Sequence, residues 1–126
     1  MAVIAAVVVD ISGDGSAKKI TWGPMANTDT GEPVKGFDAQ WIDRSVQVVG
    51  TFGVGGNLRW AGSNNGGANF VALSDPQGVL LNITAADIKA VTEIAEQSRP
   101  EVTAGDGTTS LTVTLILRRQ QQLRDG

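Results

Sequence analysis

Acidic side chains are the first candidates for chemistry in this chain, which contains no His, no Cys and no Tyr. Four of them, Asp29, Glu32, Asp38 and Asp43, lie close together in the sequence. A pair of carboxylates is sufficient for glycoside hydrolysis, but no spacing here singles out a pair. The lack of His excludes Ser-His and Cys-His catalytic arrangements. We therefore predict no catalytic residue and a protein that is not an enzyme.

Residues 10–15 (DISGDG) resemble the opening of a calcium-binding loop, in which oxygen ligands are closely spaced and a glycine permits a sharp bend. Thr21 stands where such a loop places its last, bidentate glutamate. The glycines at positions 50–67 match neither of the common phosphate-binding motifs. We therefore predict hairpin turns at these places, with no metal ion and no cofactor.

The three tryptophans are candidates for binding, because an exposed indole can stack on a sugar ring or anchor a protein interface. Trp60 is in phase with Leu58 and is predicted to lie in the core. Trp41 follows a segment rich in Pro and Gly and is predicted to be an exposed anchor. Trp22 closes a strand beside Gly23 and Pro24, and this pattern is compatible with a place in the core and with a place on the surface.

The charge of the chain argues against two classes of partner. The formal net charge is −3, and the only basic cluster is Arg118, Arg119 and Arg124 in a polar C-terminal segment. A protein that neutralises phosphates needs a net basic face, so we predict no nucleic acid partner. No apolar run approaches the ~20 residues of a membrane-spanning helix, so we predict no membrane partner either.

Short strands separated by turns are indicated along the whole chain, in which 16 of 126 residues are Gly. Alternation or apolar runs predict strands at residues 3–9, 18–22, 44–52, 57–62, 70–73, 79–83, 98–103 and 109–117. The first is apolar enough to be covered on both faces, by its own core or by another subunit. The strands at 44–73 are predicted to form a meander with Arg59 and Ala61 facing out, and Pro100 predicts an edge or a bulge.

Two segments are predicted to differ from strands. Residues 23–38 contain two prolines and three glycines and are predicted to form a long surface loop. From Thr84, a weak capping box is followed by Ile88, Val91, Ile94 and Ala95 at helical spacing, which predicts one short helix. We predict an all-β protein of about eight strands with at most one short helix, a β-sandwich or jelly roll at residues 1–117, and a polar tail at 118–126.

Six segments resemble a family of small structural proteins, the head decoration (cement) proteins of tailed bacteriophages. They are residues 21–34 (TWGPMANTDTGEPV), 43–52 (DRSVQVVGTF), 62–65 (GSNN), 73–78 (LSDPQG), 83–86 (ITAA) and 99–107 (RPEVTAGDG). The similarity spans roughly residues 20 to 117 and is carried by turn and strand motifs.

The resemblance implies a structural virion protein on the outer surface of the capsid, which stabilises the head through self-association, as a homodimer or homotrimer, and through contacts with the major capsid protein. We expect residues 2–9 and 23–43 to supply these contacts, with ten interface residues: Val3, Ile4, Val7, Val9, Trp22, Pro24, Met25, Pro33, Phe37 and Trp41. The alternatives are a glycan-binding module with Trp41 or Trp22 as the stacking platform, and a tail-associated protein of a phage particle.

Overall fold

The computed structural model describes residues 2–13, 15–35, 43–91, 93 and 95–119. These residues form twelve strands and no helix: β1 (Val3–Ile4), β2 (Val7–Asp10), β3 (Ala17–Met25), β4 (Thr30–Gly31), β5 (Val34–Lys35), β6 (Asp43–Thr51), β7 (Asn57–Ser63), β8 (Val71–Ala72), β9 (Asn82–Ile83), β10 (Asp87–Ala90), β11 (Gln97–Ala104) and β12 (Ser110–Arg118). The described part of the chain therefore contains no helix that could cross a membrane. The all-β prediction is confirmed, with twelve strands in place of about eight, five of them only two residues long.

The strands form two sheets. In the five-stranded sheet the order is β10-β6-β12-β3-β2, and all neighbours are antiparallel. In the seven-stranded sheet the order is β1-β4-β11-β7-β8, with β5 also paired to β11 and β9 to β7. Only the short pair of β1 and β4 is parallel. The chain crosses from one sheet to the other within residues 5–6, between β1 and β2.

The core lies between the sheets and is built by alternation. In β12 every second residue is completely buried, as a strand with one face on a core requires: Leu111, Val113, Leu115 and Leu117. The seven-stranded sheet faces them with Leu58, Trp60 and Val102 among others. The two sheets meet at Trp22 and Trp60, whose rings are 5.6 Å apart in an edge-to-face arrangement. Such a pair stabilises the fold by about 1 kcal/mol beyond its buried area.

The helix predicted from Thr84 onward is wrong for the residues that the structure describes. Asp87–Ala90 instead forms β10, which pairs with residues 45–48 of β6. Ile88, which the helical pattern would have buried, is exposed, whereas Val91 is in the core. The pairing supplies four residues with a sheet partner, and this tertiary contact outweighs a local helical preference. Ile94 lies outside the described residues.

The predicted meander is wrong because consecutive strands β6 and β7 belong to different sheets. Only the β7–β8 hairpin of that prediction is present, with Gly62 opposite Val71. Ala61 was expected to face outward into solvent but is completely buried. It is covered on the outer side of the sheet, where the opposite residue on β11 is Arg99.

Pro100 does not mark an edge, because β11 has partners on both sides. On one side it pairs with β7, and on the other β5 is opposite Ser98 while β4 is opposite Glu101. Pro100 therefore lies where one short partner strand ends and the next begins. At this position neither neighbouring strand requires an N–H donor from β11, so the missing N–H of Pro100 breaks no hydrogen bond of the sheet.

The long surface loop predicted at residues 23–38 is largely absent from the described part of that segment. β3 continues through Met25, and β4 and β5 follow. Met25 and Val34 are buried in the core. Residues 36–42 lie outside the described residues. At the other end of the chain, Arg118 completes β12 and Arg119 donates its backbone N–H to the Ser16 carbonyl, so these two residues belong to the folded sheet.

Candidate interaction surface

The five-stranded sheet has an outer face that no described element covers. In β12 the core-facing residues alternate with Thr114 and Ile116, which therefore point outward. In an antiparallel ladder, side chains opposite each other share a face. The register then places one outward row across all five strands: Ile88, Gln47, Thr114, Thr21 and Val7.

A second outward row runs beside the first: Ala90, Ser45, Ile116, Lys19 and Val9. The same alternation adds Val49 and Thr112 at one end, and Asp43, Arg118, Ala17 and Ile11 at the other. We call these sixteen residues the open face. All of them are at least partly exposed.

The composition of the open face is unusual for solvent-exposed protein. Its charges are Lys19 and, at one end, Asp43 and Arg118. Of the eleven large apolar side chains that are exposed in the described chain, five belong to it: Val7, Val9, Ile11, Val49 and Ile88. Val7 and Ile88 are each 59% exposed, at opposite edges of the sheet. Exposed apolar groups toward both edges of one uncovered sheet face indicate a contact surface for another macromolecule.

β2 forms one edge of this face and has no partner on its outer side among the described residues. The Ile11 N–H donates to the Ala17 carbonyl at 3.1 Å. Since hydrogen-bonding positions alternate along an antiparallel strand, Val7 and Val9 also bond toward β3, whereas Val8 and Asp10 direct their backbone groups to the free edge. Val8 is on the core side of the sheet, opposite Ile20, yet is 53% exposed.

The carboxylates considered for acid–base chemistry hold the N-terminal segment in place. Asp29, which is 8% exposed, accepts the backbone N–H of Ala2 at 3.0 Å and of Ala26 at 2.8 Å. Glu32 accepts the N–H of Ala6 at 3.0 Å, and its own N–H donates to the Ile4 carbonyl at 2.8 Å. These contacts fix β1 on the seven-stranded sheet and so position β2. Asp43 is exposed at the end of the open face, and Asp38 lies outside the described residues.

The outer side of the seven-stranded sheet has a different character. Glu101, whose side chain is 7% exposed, bonds to Arg59 and Arg99, with a Glu101 Oε2 to Arg99 Nη2 distance of 2.7 Å. The Arg99 guanidinium lies 3.8 Å above the Phe70 ring, and Arg59 also donates to the Phe70 carbonyl. Two cations thus share one carboxylate, and both also contact Phe70, one at its ring and the other at its carbonyl, which ties β7 and β11 to the segment before β8.

A groove of about 440 Å³ lies beside this cluster, where the turn after β7 meets Glu93 and Ala95. Its polar atoms bond mainly within the groove wall. Asn64 Oδ1 accepts the Glu96 N–H at 2.8 Å, and Asn65 Oδ1 accepts the Ser63 hydroxyl at 2.7 Å. Glu93 accepts the Ser74 N–H. The groove is therefore a set of loop contacts, without a cluster of groups free for chemistry.

The ten predicted interface residues fall into three groups. Val3, Val7, Val9 and Pro24 are exposed, and Ile4 and Pro33 are partly buried. Trp22 and Met25 are completely buried, so they belong to the core and are not available for a surface contact in this fold. The Trp22 Nε1–H donates to the Glu32 carbonyl at 3.0 Å, which leaves no stacking platform at this position. Phe37 and Trp41 lie outside the described residues.

Most of the open face escaped the sequence prediction. The signal was present for β12 and β6, where Thr114, Ile116 and Val49 alternate with apolar residues that were expected to be inside. Strand order, which decides that these outward residues lie side by side, is not encoded in that alternation. Within the part of the chain that the structure describes, no three His, Cys, Asp or Glu side chains cluster as a metal site.

Comparisons with models of known protein families, with curated proteins and with solved structures find no match for this chain.

Proposed function

We propose that this chain is a structural protein of a tailed-phage particle, a decoration (cement) protein that binds the outer surface of the head. It stabilises the shell through self-association and through contacts with the major capsid protein. The two packed sheets then correspond to a β-sandwich of the jelly-roll type. The observation that carries the proposal is the open face, an uncovered sheet surface with five exposed apolar side chains and three charges among its sixteen residues.

The open face suits a permanent protein contact better than catalysis or ligand capture. It is composed largely of Val, Ile and Thr, whose branched side chains are stiff and lose little entropy when covered. Its charges are sparse, so that little desolvation opposes docking. A cement protein requires such a complementary surface and no reactive group. The resemblance of residues 20–117 to head decoration proteins supports the same function.

The N-terminal segment agrees with this role. Bonds from Asp29 and Glu32 hold residues 2–6 on the fold, and the chain then passes directly into β2 at the margin of the open face. Val7 and Val9, which belong to the open face, are thus presented on an ordered strand at its margin.

Co-sedimentation with undecorated mature capsids of the parent phage tests the proposal. The wild-type protein is expected to bind saturably, at a fixed ratio to the major capsid protein. Val49→Lys places a charge on the open face and is expected to weaken capsid binding at least tenfold, since a buried unpaired charge costs several kcal/mol.

The matched control is Val71→Lys, the same change at an exposed strand residue of the other sheet. It is expected to bind like the wild type, with circular dichroism and thermal unfolding confirming that both variants fold. Failure of the folded wild type to bind capsids would contradict the head assignment. Loss of binding in Val71→Lys with retention in Val49→Lys would move the contact to the seven-stranded sheet.

A further inference from the structure

We infer that the free edge of β2 pairs with β2 of a second copy of this chain, antiparallel and about a two-fold axis at Val9, to join two five-stranded sheets into one of ten strands. The inference rests on the self-association within the proposed function and specifies its geometry.

The hydrogen-bonding groups of β2 select the register. Val8 and Asp10 direct their backbone N–H and C=O groups outward, and Ala6 has its N–H committed to Glu32. A two-fold axis at Val9 places Val8 opposite Asp10 of the second copy and Asp10 opposite its Val8. This register satisfies every outward donor of β2, whereas an axis at Val8 would bring Asp10 opposite Ala6, whose donor is occupied.

The side chains are self-complementary in the same register. On the open face, Val7 meets Ile11 of the second copy, Val9 meets Val9, and Ile11 meets Val7. Each is a pair of β-branched residues, which stabilise a sheet by packing across neighbouring strands. β2 carries one charge, Asp10, and this carboxylate is already paired with Lys18 at 3.5 Å. The complement that β2 requires is therefore β2 itself.

The opposite edge of the sheet is less suited to strand addition than β2, because its core side carries two charges where the core side of β2 carries only Asp10. β10 carries Asp87 and Lys89, which lie opposite the core residues Val48 and Val46 and so are on the core side of the strand. Charges on the core side of an edge strand oppose pairing with another chain. This asymmetry favours a closed dimer through β2 over an open array in which β2 of one copy meets β10 of the next.

The size of the open face also favours a second copy. Its sixteen residues, each occupying about 4.8 Å across the sheet and about 7 Å along a strand, cover roughly 540 Å². A stable protein interface buries about 800 Å² per partner. Pairing through β2 sets two open faces side by side on one continuous sheet, which reaches that area for docking on the shell.

Single cysteines test the register directly, because the native chain has none. Opposed residues at a non-hydrogen-bonded pair have Cα atoms about 4.5 Å apart, within disulfide range. Val9→Cys is therefore expected to form a cross-linked dimer under oxidised glutathione. In the control Val7→Cys, the two thiols belong to residues about 14 Å apart and are expected to remain free.

Proline substitution tests pairing at the β2 edge without relying on disulfide formation. Val8→Pro removes an N–H that the single chain does not use, and is expected to convert the dimer to a monomer with little loss of thermal stability. Light scattering should give twice the 13.1 kDa chain mass for the wild type and the chain mass for Val8→Pro.

A wild-type monomer, a trimer, or equal cross-linking of both cysteine variants would overturn the inference. Capsid binding by a protein that shows any of these results would leave the proposed function standing and remove only the β2 pairing. A cross-linked Val9→Cys dimer that does not bind capsids would support the β2 pairing and contradict the proposed function.

Discussion

Gly31 is the position where a single methyl group should test the packing between the sheets. A Cβ at this residue would lie 2.6 Å from Pro100 Cγ, 2.7 Å from Pro100 Cδ and 2.8 Å from Trp22 Cδ1. Neither neighbour can move easily. Pro100 is a ring within the central strand β11, and Trp22 is buried against Trp60 with its indole N–H bonded to the Glu32 carbonyl.

The expected cost follows from these distances. Carbon atoms pack at about 3.5–4.0 Å, so Gly31→Ala creates three overlaps of about 1 Å each. Overpacking of this kind costs about 1–3 kcal/mol, and rigid neighbours place it at the upper end. Lower entropy of the unfolded chain offsets about 0.5 kcal/mol. We expect a net loss of about 2.5 kcal/mol, or a decrease in melting temperature of about 10 °C.

Urea unfolding followed by tryptophan fluorescence, together with calorimetry, measures both quantities. Gly107→Ala is the matched control, because a Cβ there has no atom within 4 Å and the backbone is not left-handed. It should be neutral or stabilising by up to about 1 kcal/mol. A free energy of unfolding for Gly31→Ala within about 0.5 kcal/mol of the wild-type value would refute the packing argument.

Two further predictions concern charged groups. Glu101→Gln should destabilise the protein by about 2 kcal/mol, because it leaves Arg59 and Arg99 without their shared buried carboxylate. The control Asp87→Asn removes an exposed ion pair and should cost less than about 0.5 kcal/mol in the same urea experiment. Equal costs for the two variants would contradict the role of the Glu101 cluster. Hydrogen bonds from the side chain of Thr108, then from the backbone of Val54 and of Thr108 itself, lower the pKa of Asp106 to about 2. Because the folded pKa is below the unfolded value of about 3.9, the carboxylate stabilises the fold above about pH 4, and this contribution is lost as the pH falls toward 2. Urea midpoints of wild type and Asp106→Asn should differ at pH 6 and converge at pH 2, and a constant difference would contradict this.

Local patterns in the sequence were sufficient for the five long strands β3, β6, β7, β11 and β12 and for much of the core. The alternation in residues 109–117 predicts the buried face of β12, because a strand presents every second residue to the same side. The Asp75–Gly78 turn follows in the same way from Pro and Gly at preferred turn positions, and the Gly78 N–H does bond to the Asp75 carbonyl at 3.0 Å. Such features depend only on the geometry of a few consecutive residues.

Tertiary structure alone decided which strands lie side by side. The separation of β6 from β7, the conversion of a helical pattern into β10, and the central place of Pro100 all depend on partners distant in the chain. The open face has the same origin, since Thr21, Gln47 and Thr114 become one row only through pairing across β3, β12 and β6. Alternation determines which side chains point away from the core, whereas the free energy of long-range strand pairing determines which of them form a common surface.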